Sequence, residues 1–327
     1  MQKAKTITAA LLSLVAAMLM AVTPFSPLAK AQTAPSGSGL SISPTVSQLT
    51  IKPGASDHVT ITLKNVTVDD VVAKGEVDDF TSNNVDGNPK IITNQNQQTP
   101  NSIRKFVSNL DDVPLAKGEQ KTVILGIDIP KSAPAGAYYG IIRYRAVPKV
   151  LATPGAGQVA LTASVGTIVL ITVPGNIREQ VQVKGIHVYR GAREGSFFVT
   201  PPNKIGIAIN NFGNGFERPF GTVEVHDMFN KTVASYPFNN PKELGNVLPN
   251  SSRLFTNNVK GLNKIGRYTV LASVSYGNGS QVLTLKKTFW YVPYWLVIII
   301  LLVIAALVFL AVRSYRSYSR GRSHSRR

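Results

Sequence analysis

The sequence predicts an all-β protein: two tandem β-sandwiches followed by one C-terminal transmembrane helix. Three observations predict it. Short β-branched and aromatic runs, divided by Pro, Gly and Asn clusters, recur from Leu40 to Trp290 at the spacing of sandwich strands, and no convincing amphipathic helix interrupts them. Beyond them, Trp295 to Val312 gives eighteen consecutive residues without a charge. The 327-residue chain less its two ends leaves about 260 residues, more than one small core and enough for two domains.

The elements follow in order. Residues 1–31 read as a secretory signal: Lys3 and Lys5 form a positive n-region, Ile7 to Val22 an apolar h-region, and Ala29-Lys30-Ala31 supplies the small residues a signal peptidase inspects. Cleavage leaves Gln32 as the mature N-terminus. Uncut, the segment is a membrane anchor; in both cases the following chain is exported. Residues 32–39 are a Pro/Gly/Ser linker.

The first sandwich is assigned to 40–175. Ile51-Lys52-Pro53-Gly54 signals a turn, and in His58 to Asn65 the apolar Val59, Ile61 and Leu63 share one face of a half-buried strand. Similar runs occupy Val71 to Val77, Gln120 to Ile129, Tyr138 to Val147 and Val159 to Val173. From Ile127 to Gly140 a strand ends at Pro130, a Pro/Gly turn reverses the chain, and Tyr138 opens the return strand, as Ig-like sandwiches join neighbouring strands. Along it Tyr139, Ile141 and Arg143 face opposite to Tyr138, Ile142 and Tyr144. Val173-Pro174-Gly175-Asn176 marks the boundary.

The second sandwich, 176–290, repeats this grammar. Lys204 to Asn214 is again a strand running into an Asn-rich turn, and Gly266-Arg267-Tyr268-Thr269-Val270 parallels Gly136-Ala137-Tyr138-Tyr139. Tyr276 to Gln281 is a tight hairpin between the last two strands. The transmembrane helix, 294–312, comes almost directly after. Its uncharged stretch is about 27 Å long, close to a hydrocarbon core of roughly 30 Å. Trp290, Tyr291, Tyr294 and Trp295 stand before it as an aromatic belt, and six arginines in the tail 313–327 follow as a positive-inside signal. The predicted topology is an exported N-terminal ectodomain, one crossing of the cell membrane and a basic cytoplasmic tail. That tail also touches anionic lipid; a nucleic-acid or phospho-regulated role is the other reading of its Arg/Ser composition. Leu248-Pro249-Asn250-Ser251-Ser252 begins like a sortase signal and goes no further, so the helix is the anchor.

Chemistry is sparse. With no cysteine, thiolate metal sites, disulfides and cysteine nucleophiles are excluded. His58, His187, His226 and His324 form no HExxH or HxH spacing, and there is no G-x-S-x-G elbow or P-loop, so the chain is expected not to be an enzyme and to use no cofactor. Gly213-Asn214-Gly215 is explained by turn chemistry. Among the acidic residues at 69–86, Asp78, Asp79 and Asp86 are the candidates for a Ca²⁺ site; the competing reading is a solvated loop. Tyr138, Tyr139, Phe212 and Phe216 are the candidates for stacking on a glycan, against a packing role on alternating strands. Asn65, Asn230, Asn250 and Asn278 head formal glycosylation sequons.

The layout resembles the bacterial WxL-interacting cell-surface proteins. The residues that carry this are Ile42-Ser43-Pro44 with Ile51-Lys52-Pro53-Gly54, Thr62-Leu63-Lys64-Asn65, the Ile127 to Tyr144 unit and Gly266 to Val270 before the helix. The resemblance implies an Ig-like peptidoglycan-binding domain, a second Ig-like domain for a host or partner, and a C-terminal membrane anchor. It carries over architecture and no functional residue.

The function expected is that of a membrane-anchored surface protein binding cell-wall polymer, another surface protein, or both. The alternative is an assembly factor or subunit of an envelope complex that holds its partner by β-strand addition. A net charge of +18 suggests nucleic acid until it is located. Lys3, Lys5, Lys30 and the six tail arginines belong to the ends. Residues 40–175 carry 12 basic and 11 acidic side chains, residues 176–290 carry 14 and 6. The excess therefore sits on a basic, membrane-proximal second sandwich facing an anionic envelope, and no nucleic-acid partner is expected.

Overall fold

Period-two alternation builds the strands. A computed structural model describes residues 39–148, 164–239, 242, 244–277 and 279–323. The signal-peptide and linker assignments, the start of the expected 159–173 strand, and His324 fall outside these residues. In the first sandwich the strands are β1 (Leu40–Ser43), β2 (Val46–Thr50), β3 (Ser56–Asn65), β4 (Val71–Ser82), β5 (Pro89–Ile92), β6 (Val107–Ser108), β7 (Val113–Leu115), β8 (Gln120–Asp128), β9 (Gly136–Pro148) and β10 (Ser164–Val173). Those of the second are β11 (Val181–Arg190), β12 (Arg193–Glu194), β13 (Phe197–Phe198), β14 (Lys204–Asn211), β15 (Phe220–His226), β16 (Thr232–Phe238), β17 (Ser251–Asn258), β18 (Gly266–Tyr276) and β19 (Gln281–Tyr291). The helix α1 (Tyr294–Ser323) follows.

Both sandwiches are wired alike. One sheet of the first runs β1-β3-β8-β6, the other β2-β10-β9-β4-β5, with β7 against β4. The second has β12-β11-β14-β17 and β13-β19-β18-β15-β16. In each, the first strand lies antiparallel on one sheet (Leu40 opposite Asn65; Val181 opposite Asn211). The chain then crosses over and runs parallel to the last strand of the other sheet (Val46 opposite Ile168; Phe197 opposite Trp290). This two-sheet arrangement, with the first strand divided between the sheets, is Ig-like.

The repeated grammar has a physical basis. Asn65 and Asn211 end equivalent strands and are fully buried. Asn65 Nδ2 donates to the carbonyls of Asp69 (2.8 Å) and Leu115 (3.2 Å), while its Oδ1 accepts from Thr67 N–H (2.9 Å). Asn211 repeats this with Gly215 (2.8 Å), Val247 (3.0 Å) and Gly213 N–H (2.8 Å). The amide completes a turn whose backbone groups would otherwise be buried without partners. Tyr138 and Tyr268 are a second pair: each hydroxyl donates to the carbonyl four residues earlier, Pro134 at 3.0 Å and Lys264 at 2.7 Å. These are tyrosine corners, at the start of β9 in the first sandwich and of β18 in the second.

Each sandwich has its own core. Ile61, Leu63, Leu125, Ile127, Ile142 and Tyr144 fill the first. Ile209, Val225, Tyr268, Val270 and Phe289 are central to the second. A third cluster joins them, because the outer face of β9 and β10 does not meet water: Phe80, Tyr139, Ile141 and Leu170 pack with Leu248 and Phe216 of the second sandwich.

Candidate functional site

The seam between the sandwiches is built from loops that local turn chemistry shapes. The tip of the β4–β5 hairpin is closed by Asn83, whose Oδ1 accepts from Val85 N–H (2.9 Å) and Gly87 N–H (3.2 Å). It reaches β17: Leu254 N–H donates to Val85 O (2.6 Å) and Ser252 N–H to Asn84 Oδ1 (2.9 Å). From the second sandwich, Asn214 O accepts Ala137 N–H at 2.8 Å. Asn239 organises the loop before β17, donating to Pro219 O (2.8 Å) and accepting from Gly245 N–H (2.9 Å).

Beside this seam opens a cleft of about 690 Å³. Its floor is apolar, formed by Phe80, Ile168, Leu170 and Leu248; its sides are β2 and the hairpin tip at Gly87 and Pro89. Arg218, Arg253 and Lys242 also line it, and none of the described lining residues is acidic. Arg218 is held by Nε donating to Asn246 Oδ1 (2.6 Å) and by a bond to the Gln48 side chain across the seam. Arg253 donates to Asn246 O at 2.8 Å and lies 4.9 Å over the Phe255 ring. Asp86 stands outside; the amides of Asn83 and Asn88, and to a lesser degree Arg253, hold its carboxyl below the usual range. The cleft continues into a groove of about 440 Å³ over Ile141, Gly166 and Ile168, walled by Ile91.

Among the described residues, one side of this cleft is an open sheet edge. β2 is the terminal strand of its sheet. Ile168 N–H donates to Thr45 O and Ile51 N–H to Thr172 O, so the amides of Ser47, Leu49 and Ile51 point at β10. By alternation those of Val46, Gln48 and Thr50 point away from it. An extended chain laid along β2 would meet backbone donors and acceptors on one flank, apolar side chains below and the cations Arg218 and Arg253 in the same cleft.

The residues singled out from sequence fare differently. Asp78 and Asp79 are neighbours on β4 and point to opposite faces, so they do not converge on one ion. Asp78 is taken by Arg143 Nε (2.7 Å) and Gln95 Nε2 (3.0 Å), Asp79 by Ser102 Oγ (2.6 Å) and Thr99 N–H (2.8 Å). Asp86 lies on the exposed hairpin tip, and the described residues hold no group of three or more potential metal-ligating His, Cys, Asp or Glu side chains. Tyr138 is bound into its corner and packs edge-on to Phe106, with ring centroids 5.2 Å apart. Tyr139 is buried between Phe80 (4.9 Å) and Phe216 (6.0 Å) at the seam. Tyr139 and Phe216 thus join the two sandwiches, whereas Phe212 remains exposed. Asn65, heading a formal sequon, has its amide buried and fully used. Arg218, Arg253 and the free edge of β2 were not foreseen.

No family model and no curated protein matches this chain. Among solved structures it is similar to a class 5 fimbriae chaperone, at 13% identity over 76% of this chain and 99% of that one, with a TM-score of 0.38. The E. coli chaperone DraB gives 15% identity, 77% and 96% coverage and a TM-score of 0.35. A chain from the complex of Salmonella enterica SafA pilin with the SafB chaperone gives 10%, 77%, 98% and 0.35. The helix Tyr294–Tyr315 is long and apolar enough to cross a membrane.

Proposed function

We propose that this chain is a non-enzymatic envelope protein that holds a protein partner by strand addition along β2, displayed on a single membrane span with the ectodomain exported and the basic tail in the cytoplasm. The observation that carries this is the open β2 edge bordering an apolar-floored, cation-lined cleft. The occupant it fits is an extended segment with apolar side chains on one face and an acidic group reaching Arg218 and Arg253. A surface-protein partner is also what the WxL-interacting resemblance implies. Binding of cell-wall polymer is favoured less, because Tyr138 and Tyr139 are spent on packing.

The test is purification of the tagged full-length chain from its native membrane in mild detergent. A stoichiometric protein partner is expected to co-purify. Val46→Pro, which removes an outward amide donor without touching the β10 ladder, and Arg218→Glu should each deplete that partner while leaving the circular dichroism spectrum unchanged. Retention of the partner by both variants, or absence of any partner, sinks the proposal.

A further inference from the structure

We propose that the membrane-facing end of the second sandwich is itself a lipid-binding surface, seating Phe229 in the bilayer interface and the surrounding lysines and arginines against anionic headgroups. This rests on the reading of α1 as a membrane span. Two residues separate β19 from α1, and the Leu296 and Val297 amides already donate to Pro293 O (3.0 and 3.2 Å) as the first turn of the helix. Pro293 is buried and Leu296 and Val297 are half-buried, so the base of the helix abuts the sandwich. Whatever stands level with Tyr291 therefore stands at the interface.

The β15–β16 turn stands there. His226 is opposite Thr269, which is opposite Thr288, so β15 runs toward the Tyr291 end of the sheet. Gly266 is opposite Tyr291, and a Cβ on Gly266 would come within 2.6 Å of Met228 Sδ. The turn is rigid: Asp227 Oδ1 accepts from both Phe229 N–H and Lys231 N–H at 3.0 Å, and Asn230 takes a φ of 61°. This fixed turn holds Phe229 out at 82% exposure. In water such a presentation is unfavourable, and an apolar tip of this kind marks a contact surface. It is not isolated. Met228, Ile265, Phe197 and Trp290 are exposed at the same end, Phe197 lying opposite Trp290 and Ile265 preceding Gly266.

Charge agrees with the placement. Arg190 and Arg193 tip the β11–β12 hairpin, Lys231 closes the Phe229 turn, and Lys260, Lys264 and Arg267 lie on or just after the loop that leads into β18; all six are exposed. The carboxylates at this end are engaged: Asp227 caps the turn and lies 4.0 Å from Lys264, Glu194 is 2.7 Å from His187, and Glu224 is 3.1 Å from His226. Apolar tips ringed by cations are the composition that enters the headgroup region of an anionic bilayer.

The chain has no cysteine, so a single introduced thiol takes a nitroxide label at one site. The full chain is reconstituted in phosphatidylcholine vesicles with and without phosphatidylglycerol, and collision of the label with oxygen is compared with collision with a water-soluble nickel chelate. The label at Phe229→Cys should favour oxygen, and more so with phosphatidylglycerol. A label at Lys117→Cys, on the first sandwich, should favour the chelate. Adding Lys264→Glu and Arg267→Glu should abolish the phosphatidylglycerol effect. A Phe229→Cys label as open to the chelate as that at Lys117→Cys overturns the proposal, and so does one immobilised without preference for oxygen, which means a protein neighbour. A third label at Leu302→Cys separates the failures. Oxygen-rich there with an aqueous Phe229→Cys, only the lipid-contact proposal falls; aqueous at both, the membrane span falls as well.

Discussion

Replacing Asn211 by alanine should unfold the second sandwich selectively. Its amide satisfies three buried backbone groups, Gly215 O, Val247 O and Gly213 N–H, at 2.8, 3.0 and 2.8 Å. A buried group left without a partner costs about 1–3 kcal/mol, and entry of a water recovers part of it, so the loss should be roughly 3–5 kcal/mol. That is a large share of the stability of one domain. Trp290 belongs to the last strand of the second sandwich and the other tryptophan, Trp295, to the helix held in the detergent, so the change in fluorescence during urea unfolding of the solubilised chain follows that sandwich. Asn211→Ala should move the fluorescence midpoint down strongly. Asn65→Ala should shift the first sandwich's transition, seen by circular dichroism, and move the tryptophan signal far less. Asn211→Asp keeps the acceptor for Gly213 but sets a carboxylate against two carbonyls, so it should be at least as damaging as alanine. An alanine loss below about 1 kcal/mol, or a milder aspartate variant, refutes the reasoning.

Two further outcomes follow from the packing. Burial, and then the nearby Glu179 carboxylate, push the Glu217 carboxyl from 4.5 up to about 7. Below pH 4.5 folded and unfolded chains both hold this proton and stability is at its full value; between 4.5 and 7 the unfolded chain releases it first, so stability falls by roughly 3 kcal/mol and stays lower above pH 7. Glu217→Gln should flatten this window in urea unfolding followed from pH 4 to 8, and an unchanged slope counts against it. At the seam, Leu248→Ala should remove about 2–5 kcal/mol of contact with Phe80, Tyr139 and Leu170 and widen the separation between the two sandwiches' transitions, read by comparing fluorescence with circular dichroism. A separation unchanged from the wild type contradicts that seam.

The long strands were legible because their pattern is local. Val59, Ile61 and Leu63 alternate wherever β3 pairs, and the opposed faces of Tyr139 and Tyr144 follow from strand geometry alone. The short strands β5 to β7, β12 and β13 were not, since two to four residues carry too little periodicity and only their partners make them strands. The same alternation that made β3 readable places the candidate Ca²⁺ residues Asp78 and Asp79 on opposite faces of β4, each carboxylate with its own partners. The Asn-ended strands and the Gly-x-Tyr starts announced a repeat, and the structure shows what repeats, an amide-closed turn and a tyrosine corner.

Local residue order thus determined the all-β class, the repeated strand-and-turn grammar and the apolar helix with its basic flank, because turn chemistry, alternation and hydropathy act over a few residues. Tertiary structure alone decided that Tyr139 and Phe216 form a seam, that Arg218 and Arg253 line one cleft beside β2, and that Phe229 stands at the Tyr291 end of the second sandwich. Those placements join residues far apart in sequence through the pairing of strands and the docking of one sandwich on the other, which no local pattern encodes.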